Sequence, residues 1–255
     1  MSLLPEGKSI VKIVNPKTLV LFGGTKQGKT TLVANLEDNL IIDLEGGTRY
    51  YECLAIDVPG EAAKTGKDEW SIIKSIVLDL KAYKEANNGK NKYSKITLDT
   101  AGVLEDLVMP YAIQLYKAEP RNKNYQGNNL KTVPNGAGWQ YIRDGFFNVI
   151  SMFSLYCDNL IIVAHTKAKT INKGGEELEV TDIDVSGKMS QMLAARTEAI
   201  GLVYRKANKT MVSFKGEQFI VSGARPQHLK EQEFVICESD KDLNLTFHWD
   251  KIFIK

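Results

Sequence analysis

Gly23-Gly24-Thr25-Lys26-Gln27-Gly28-Lys29-Thr30 satisfies the spacing G-x-x-x-x-G-K-[ST], which ordinary residue frequencies produce by chance in on the order of one percent of chains this long. The flanking sequence makes the match more specific. Lys17 to Phe22 is a short apolar, β-branched run that predicts a buried strand entering the glycine turn, and Thr30 to Leu36 predicts the helix that follows. Such a unit turns successive backbone N–H groups toward one anion and adds the positive end of a helix. The alternative is a glycine-rich turn with no ligand. The motif predicts an ATP and Mg2+ site in which Gly23, Gly24, Thr25, Lys26, Gln27, Gly28, Lys29, Thr30 and Thr31 bind the nucleotide. Lys29 is expected to reach the β and γ phosphates, and the Thr30 hydroxyl to ligate the metal.

Outward from this loop the pattern alternates. Asn39 to Asp43 predicts a second buried strand, and Trp70, Ile73, Ile76, Val77, Leu80 and Tyr83 recur at helical spacing. Lys95 to Asp99 is a third strand, followed by a helix that Pro110 should break or kink. A polar loop from Glu119 to Gly138 precedes a helix over Trp139 to Tyr156 and a strand over Asn159 to Ala164. Strands alternating with helices predict an α/β fold whose parallel sheet is covered on both faces. Beyond Ala164 the sequence predicts a hairpin over Lys167 to Asp184 turning at Lys173-Gly174-Gly175, then a short helix near Ser186 to Ala195. Period-two strands are expected over Ile200 to Arg205, Thr210 to Phe214, Gln218 to Val221 and Leu243 to Trp249, so the sheet should end antiparallel.

The 255 residues suit one domain with appended strands, and 43% apolar with 25% charged residues argues against disorder and against a membrane class. No stretch approaches the ~18 apolar residues that span a bilayer. With no apolar run at the start to read as a secretory signal, a cytoplasmic protein is expected. Cys53, Cys157 and Cys237 lie far apart, with no C-x-x-C pair, and are expected to be buried free thiols. A formal charge of +2 neither favours nor excludes nucleic acid.

Hydrolysis needs an acid near the metal and a group that orients water. Asp99, at the end of its strand and followed by Thr100, has the form of the metal-serving acid, with a helix N-cap as its alternative. Glu45, just past the strand that ends at Asp43 and followed by Gly46-Gly47, is the candidate water activator, against a solvated loop glutamate. His165 and Thr166, past the strand ending at Ala164, could sense the γ-phosphate.

The order of these motifs, P-loop, Ile-Ile-Asp-Leu-Glu-Gly-Gly, Leu-Asp-Thr and Val-Ala-His-Thr, resembles the RecA-like ATPase core over roughly residues 17–206. It resembles most closely the small phage-encoded RecA-like nucleotide-binding proteins, some of which anneal single-stranded DNA. The resemblance implies one domain over residues 1–255, with a core to about 206 and a C-terminal β extension over 207–255. It gives Glu45 the water, Asp99 the magnesium ion, and the residues after the sensor strand a coupling role; His165-Thr166 stands where recombinases usually carry glutamine. It also places DNA contacts on two loops, through Arg121, Lys123, Tyr125 and Lys131, with Trp139 adjacent, and through Lys167, Lys169 and Lys173. Basic groups interleaved with aromatics suit single strands, although solvated loops would read the same way. The resemblance further implies a homo-oligomer whose neighbouring subunit supplies a basic residue, Lys188 or Arg225 being the candidates, and a single-strand binding protein as a partner. Two other functions fit a P-loop: a small-molecule or nucleoside kinase, and a nucleotide-switched DNA-binding module without turnover. The kinase lacks its cluster of lid arginines here.

Overall fold

The computed structural model describes residues 14–173, 176–216 and 220–254. The apolar run ahead of the glycine motif forms strand β1 (Thr18–Gly23), and helix α1 (Lys29–Ala34) leaves the turn. Strands β2 (Asn39–Asp43), β4 (Lys95–Asp99) and β5 (Asn159–Lys173) follow where the sequence places them, and β3 (Ala55–Asp57) is added at one edge. β1 pairs in parallel with β5, β5 with β4, β4 with β2, and β2 with β3.

On its other side β1 pairs in parallel with β7 (Ala199–Lys206). From there the sheet turns antiparallel through β8 (Lys209–Ser213), β10 (Glu233–Ser239) and β11 (Leu245–Phe247), with the short β9 (Gly223–Ala224) also on β7. The fold is therefore α/β, with a mostly parallel sheet and antiparallel strands on the C-terminal side.

Alternate residues of each central strand enter different cores, which is why these strands read as continuous apolar runs. Val20, Phe22, Ile42 and Ile162 pack with α3 (Glu69–Ala86), α4 (Ala101–Leu107), α6 (Trp139–Ser154) and α7 (Met189–Arg196). Leu19, Leu21, Ile41 and Ile161 face the opposite way, onto Leu32 and Val33 of α1 and onto Ile236, Trp249 and Ile252. Trp249 donates its indole N–H to the Leu32 carbonyl at 3.2 Å, so the end of the chain is fastened to the helix that carries the phosphate loop.

Several expectations are adjusted. The helix after β4 breaks at Val108, placing Pro110 in the first turn of α5 (Met109–Ala118), where its missing N–H costs nothing. β5 does not stop at Ala164 but runs on to Lys173 and pairs there with β6 (Glu176–Ile183); the turn residues Gly174 and Gly175 lie outside the described residues. Gln218 and Phe219 of the strand predicted over Gln218 to Val221 also lie outside them, and Ile220 makes only an isolated bridge to Thr181 in its place. The predicted strand over Leu243 to Trp249 is shorter, and β10, β3 and α2 (Val58–Thr65) were not anticipated. The Glu119–Gly138 loop is built of short 3-10 turns over a small core of Ala112, Tyr141, Ile142 and fully buried Leu130. Cys157 and Cys237 are buried free thiols, whereas Cys53 is only half-buried. Among the described residues no helix is long and apolar enough to cross a membrane.

Candidate nucleotide site

The phosphate loop crosses the C-terminal ends of β1 and its neighbours, the place where open α/β sheets bind ligands. Two glycines explain its path. A Cβ on Gly23 would collide with the Val203 carbonyl of β7, so the strand can approach only without a side chain. Gly28 has φ +91°, a left-handed conformation natural to glycine, and precedes the first residue of α1.

Lys29 is buried, and its ammonium donates to the carbonyls of Gly23 and Gly24, both at 2.8 Å, and lies 3.3 Å from His165 Nδ1. Burial pushes its pKa down, opposed by the negative charges of Asp99 and Glu45. The ammonium is thus folded back on its own loop. Next to it the Thr30 hydroxyl donates to Asp99 Oδ2 at 2.9 Å. Burial, the largest cause, raises the Asp99 carboxyl to about 6, helped by Glu45 and Asp43 and opposed by the Thr30 hydrogen bond and Lys29. A hydroxyl bonded to a buried, reluctant carboxylate beside a buried ammonium is a donor set that fits a metal–phosphate group, whose charge would satisfy both.

Glu45 is aimed by two devices. Asp43, buried at the end of β2, accepts hydrogen bonds from the backbone N–H groups of Glu45, Gly46, Gly47 and Thr48 and from the Thr48 hydroxyl, at 2.6–3.2 Å. This fixes the turn that the acid rides on. The Thr100 hydroxyl then donates to Glu45 Oε1 at 2.6 Å, and His165 Nε2 stands 3.7 Å from the same oxygen. Thr25, Lys26, Gly28, Lys29, Thr30, Thr31, Glu45, Asp99, Thr100 and His165 line one cleft of about 510 Å³.

The same cleft contains two residues that sequence reading missed. Tyr51 bonds its hydroxyl to Thr31 Oγ1 at 2.8 Å. Arg205, at the end of β7, donates its backbone N–H to Gln27 Oε1 at 2.9 Å and lays its guanidinium over Gly28. Their remoteness in sequence from the motif hid them. Thr166, one residue past His165, pairs with Ile183 and does not line the cleft.

The expected trans residues stand apart from the cleft of their own chain. Lys188 caps α7 in solvent, and Arg225 donates to the Ala195 carbonyl at 2.8 Å. On the Glu45 side a cavity of about 320 Å³ runs from Glu45, Thr100 and His165 to Lys131 of one loop and Asp184 to Ser186 after the other. Of the five basic residues expected on those loops whose side chains are described, four have acidic partners: Arg121 with Glu119 at 3.1 Å, Lys131 with Asp106 at 2.8 Å, Lys167 with Asp184 at 3.9 Å and Lys169 with Asp182 at 3.6 Å. Lys123 forms no ion pair among the described residues. The Tyr125 ring packs edge-on against Tyr116 and its hydroxyl donates to the Asn129 carbonyl, and Trp139 carries the Lys131 ammonium 6.0 Å from its ring centre. Tyr125 is half-buried against the loop's own core.

A parallel sheet carrying a glycine loop, a buried lysine and a threonine–aspartate pair at its strand ends defines a P-loop nucleotide-binding domain. The family model described as AAA domain, AAA_24, matches residues 15–226, and the chain belongs to that family. No curated protein matches the sequence. Among solved structures, that described as "Crystal structure of the RadB recombinase" is similar over 90% of each chain, with 11% identity and a TM-score of 0.44.

Proposed function

We propose that the protein is a Mg2+-dependent ATPase of the RecA-like kind that acts on single-stranded DNA in phage recombination, repair or replication, strand annealing included. The observation that carries the hydrolytic part is Glu45, held by the Thr100 hydroxyl at 2.6 Å in the cleft that also holds Lys29, Thr30 and Asp99. A carboxylate so placed suits a water activator better than a solvated loop acid. In this reading Lys29 and the loop N–H groups bind phosphate oxygens. Thr30 and Asp99 would hold Mg2+, which when bound offsets negative charge on the transferred phosphoryl group. Glu45 orients water and takes up its proton. His165, between Glu45 and Lys29, joins the acid to the phosphate end of the cleft.

The DNA part is supported by position: the cavity beyond Glu45 reaches both candidate loops, so a change at the phosphate end has a short route to them. Ion pairs on exposed loop lysines and arginines are worth little and exchange readily for phosphates. Lys188 or Arg225 of a neighbouring copy would complete a homo-oligomeric site, and activity rising more than linearly with protein concentration would support that. The decisive assay is phosphate release from Mg-ATP with and without unstructured single-stranded DNA. Stimulation is expected; equal turnover in both would refute the DNA part, and no release in either would refute hydrolysis.

A further inference from the structure

Glu105, on α4, is 4% exposed and does not line the nucleotide cleft. Its two oxygens are treated unequally. Oε2 accepts from the Ser186 N–H at 2.8 Å, whereas Oε1 is buried without a hydrogen-bond partner among the described residues and lies 3.9 Å from the Lys131 ammonium. A buried carboxylate is costly unless its charge is paired and its oxygens are bonded, so one left half-satisfied calls for an explanation. Its two partners give one. Lys131 belongs to the Glu119–Gly138 loop and Ser186 follows the Lys167–Asp184 hairpin, so a single side chain touches both candidate DNA segments.

The hold on each segment is reinforced around this carboxylate. Lys131 also donates to Asp106 Oδ1 at 2.8 Å, but the Asp106 side chain is exposed and water can replace the lysine there, whereas Glu105 is out of reach of water. On the hairpin side, a Cβ on Gly102, one turn earlier on α4, would lie 3.4 Å from the Asp184 carbonyl, so the helix packs directly against the hairpin's end. Lys167 of the hairpin donates to the Val185 carbonyl. When a nucleic-acid phosphate draws Lys131 away, the buried charge on Glu105 loses its counterion. The least costly response is for the Ser186 segment to lift and admit water to the carboxylate.

We infer that Glu105 is a positioning residue that locks the two candidate DNA segments to α4, and that an anionic strand taking Lys131 releases both together. The lock is autoinhibitory. Lys131 is held back from phosphate and the end of the hairpin is held down until one ligand acts on both, so a strand that engages either segment alone gains little. The release rests on the reading above of a protein that binds single-stranded DNA; the link between the segments does not.

Hydrogen exchange of the full chain tests the link without DNA. Lys131→Ala, at a partly exposed position, should speed exchange of the Ser186 amide at least ~10-fold, although no hydrogen bond joins Lys131 to Ser186 among the described residues. Lys131→Ala combined with Glu105→Gln should restore slow exchange, because a neutral amide needs no counterion and its oxygen still accepts from Ser186. An unchanged Ser186 amide in Lys131→Ala would overturn the inference, as would equally fast exchange in the single and double variants. Fluorescence anisotropy with an oligo-dT strand tests the release. Glu105→Gln should bind at least ~5-fold more tightly than the wild type, while Asp106→Asn, which removes the same charge from an exposed site, should change affinity less than ~2-fold. Equal tightening by both would overturn the lock. Absence of oligo-dT binding in every variant, with the Ser186 amide responding as expected, would overturn the DNA reading and support the link.

Discussion

Replacing Asp99 by asparagine should make the ligand-free protein more stable at neutral pH and leave it nearly unchanged in acid. Asp99 is 4% exposed, and its carboxyl titrates near 6 in the folded chain against an ordinary value of 3.8. Below both values the group is protonated whether the chain is folded or not, and above both it is ionised in each. Between them only the folded form keeps the proton, so stability falls as pH rises through this window and stays lower above it. About two pKa units at roughly 1.4 kcal/mol each give ~3 kcal/mol. Asparagine has no proton to lose and can still accept from the Thr30 hydroxyl. Urea denaturation of both proteins at steps from pH 3 to pH 8 would therefore show the difference in unfolding free energy moving by ~3 kcal/mol in favour of Asp99→Asn. Using the pH dependence of the difference cancels the constant cost of fitting an amide. Parallel curves for the two proteins would refute the reasoning, because they would mean that the buried carboxylate carries no penalty. The same proton must leave before Asp99 can serve a cation, so wild-type affinity for Mg-ATP should rise with pH up to about 6 and then level off.

Glu45→Gln should keep ATP binding and lower turnover by at least ~100-fold, measured as steady-state phosphate release beside nucleotide titration; unchanged turnover would remove its role. Lys29→Ala should abolish binding of both ATP and tripolyphosphate in the same titrations. Trp249→Ala removes a buried indole and the partner of the Leu32 carbonyl, so it should cost about 3–5 kcal/mol in chemical denaturation and weaken nucleotide binding through α1. Arg121→Ala, Lys123→Ala and Lys131→Ala together should weaken single-stranded DNA binding and flatten its salt dependence, and an unaltered salt slope would move the DNA contact elsewhere.

The central sheet was legible because both its faces are buried. Five-residue runs such as Asn39–Asp43 and Lys95–Asp99 then have no polar alternation to confuse with a surface strand. β10 escaped because Glu233, Glu238 and Ser239 bracket its apolar residues, and its pairing with β8 is decided by a partner outside its own sequence. β3 escaped for a related reason: it is three residues long and becomes a strand only because the open edge of β2 supplies its hydrogen bonds. The hairpin of β5 with β6, by contrast, was legible over Lys167 to Asp184.

The phosphate loop was fully specified by local order, since its glycines, lysine and threonine act within eight consecutive residues. Glu45 and Asp99 could be nominated, because each follows an apolar strand and strand ends converge on one edge of a parallel sheet. What sequence alone could not decide is everything that depends on two distant segments meeting. The hydrogen bonds of Thr100 to Glu45 and of Thr30 to Asp99, the approach of His165 to Lys29, and the arrival of Arg205 at Gly28 all follow from strand order, which places β5 and β7 on either side of β1. Local sequence determines which strands form, but their order is set by how the two apolar faces are covered, and that is a property of the whole chain.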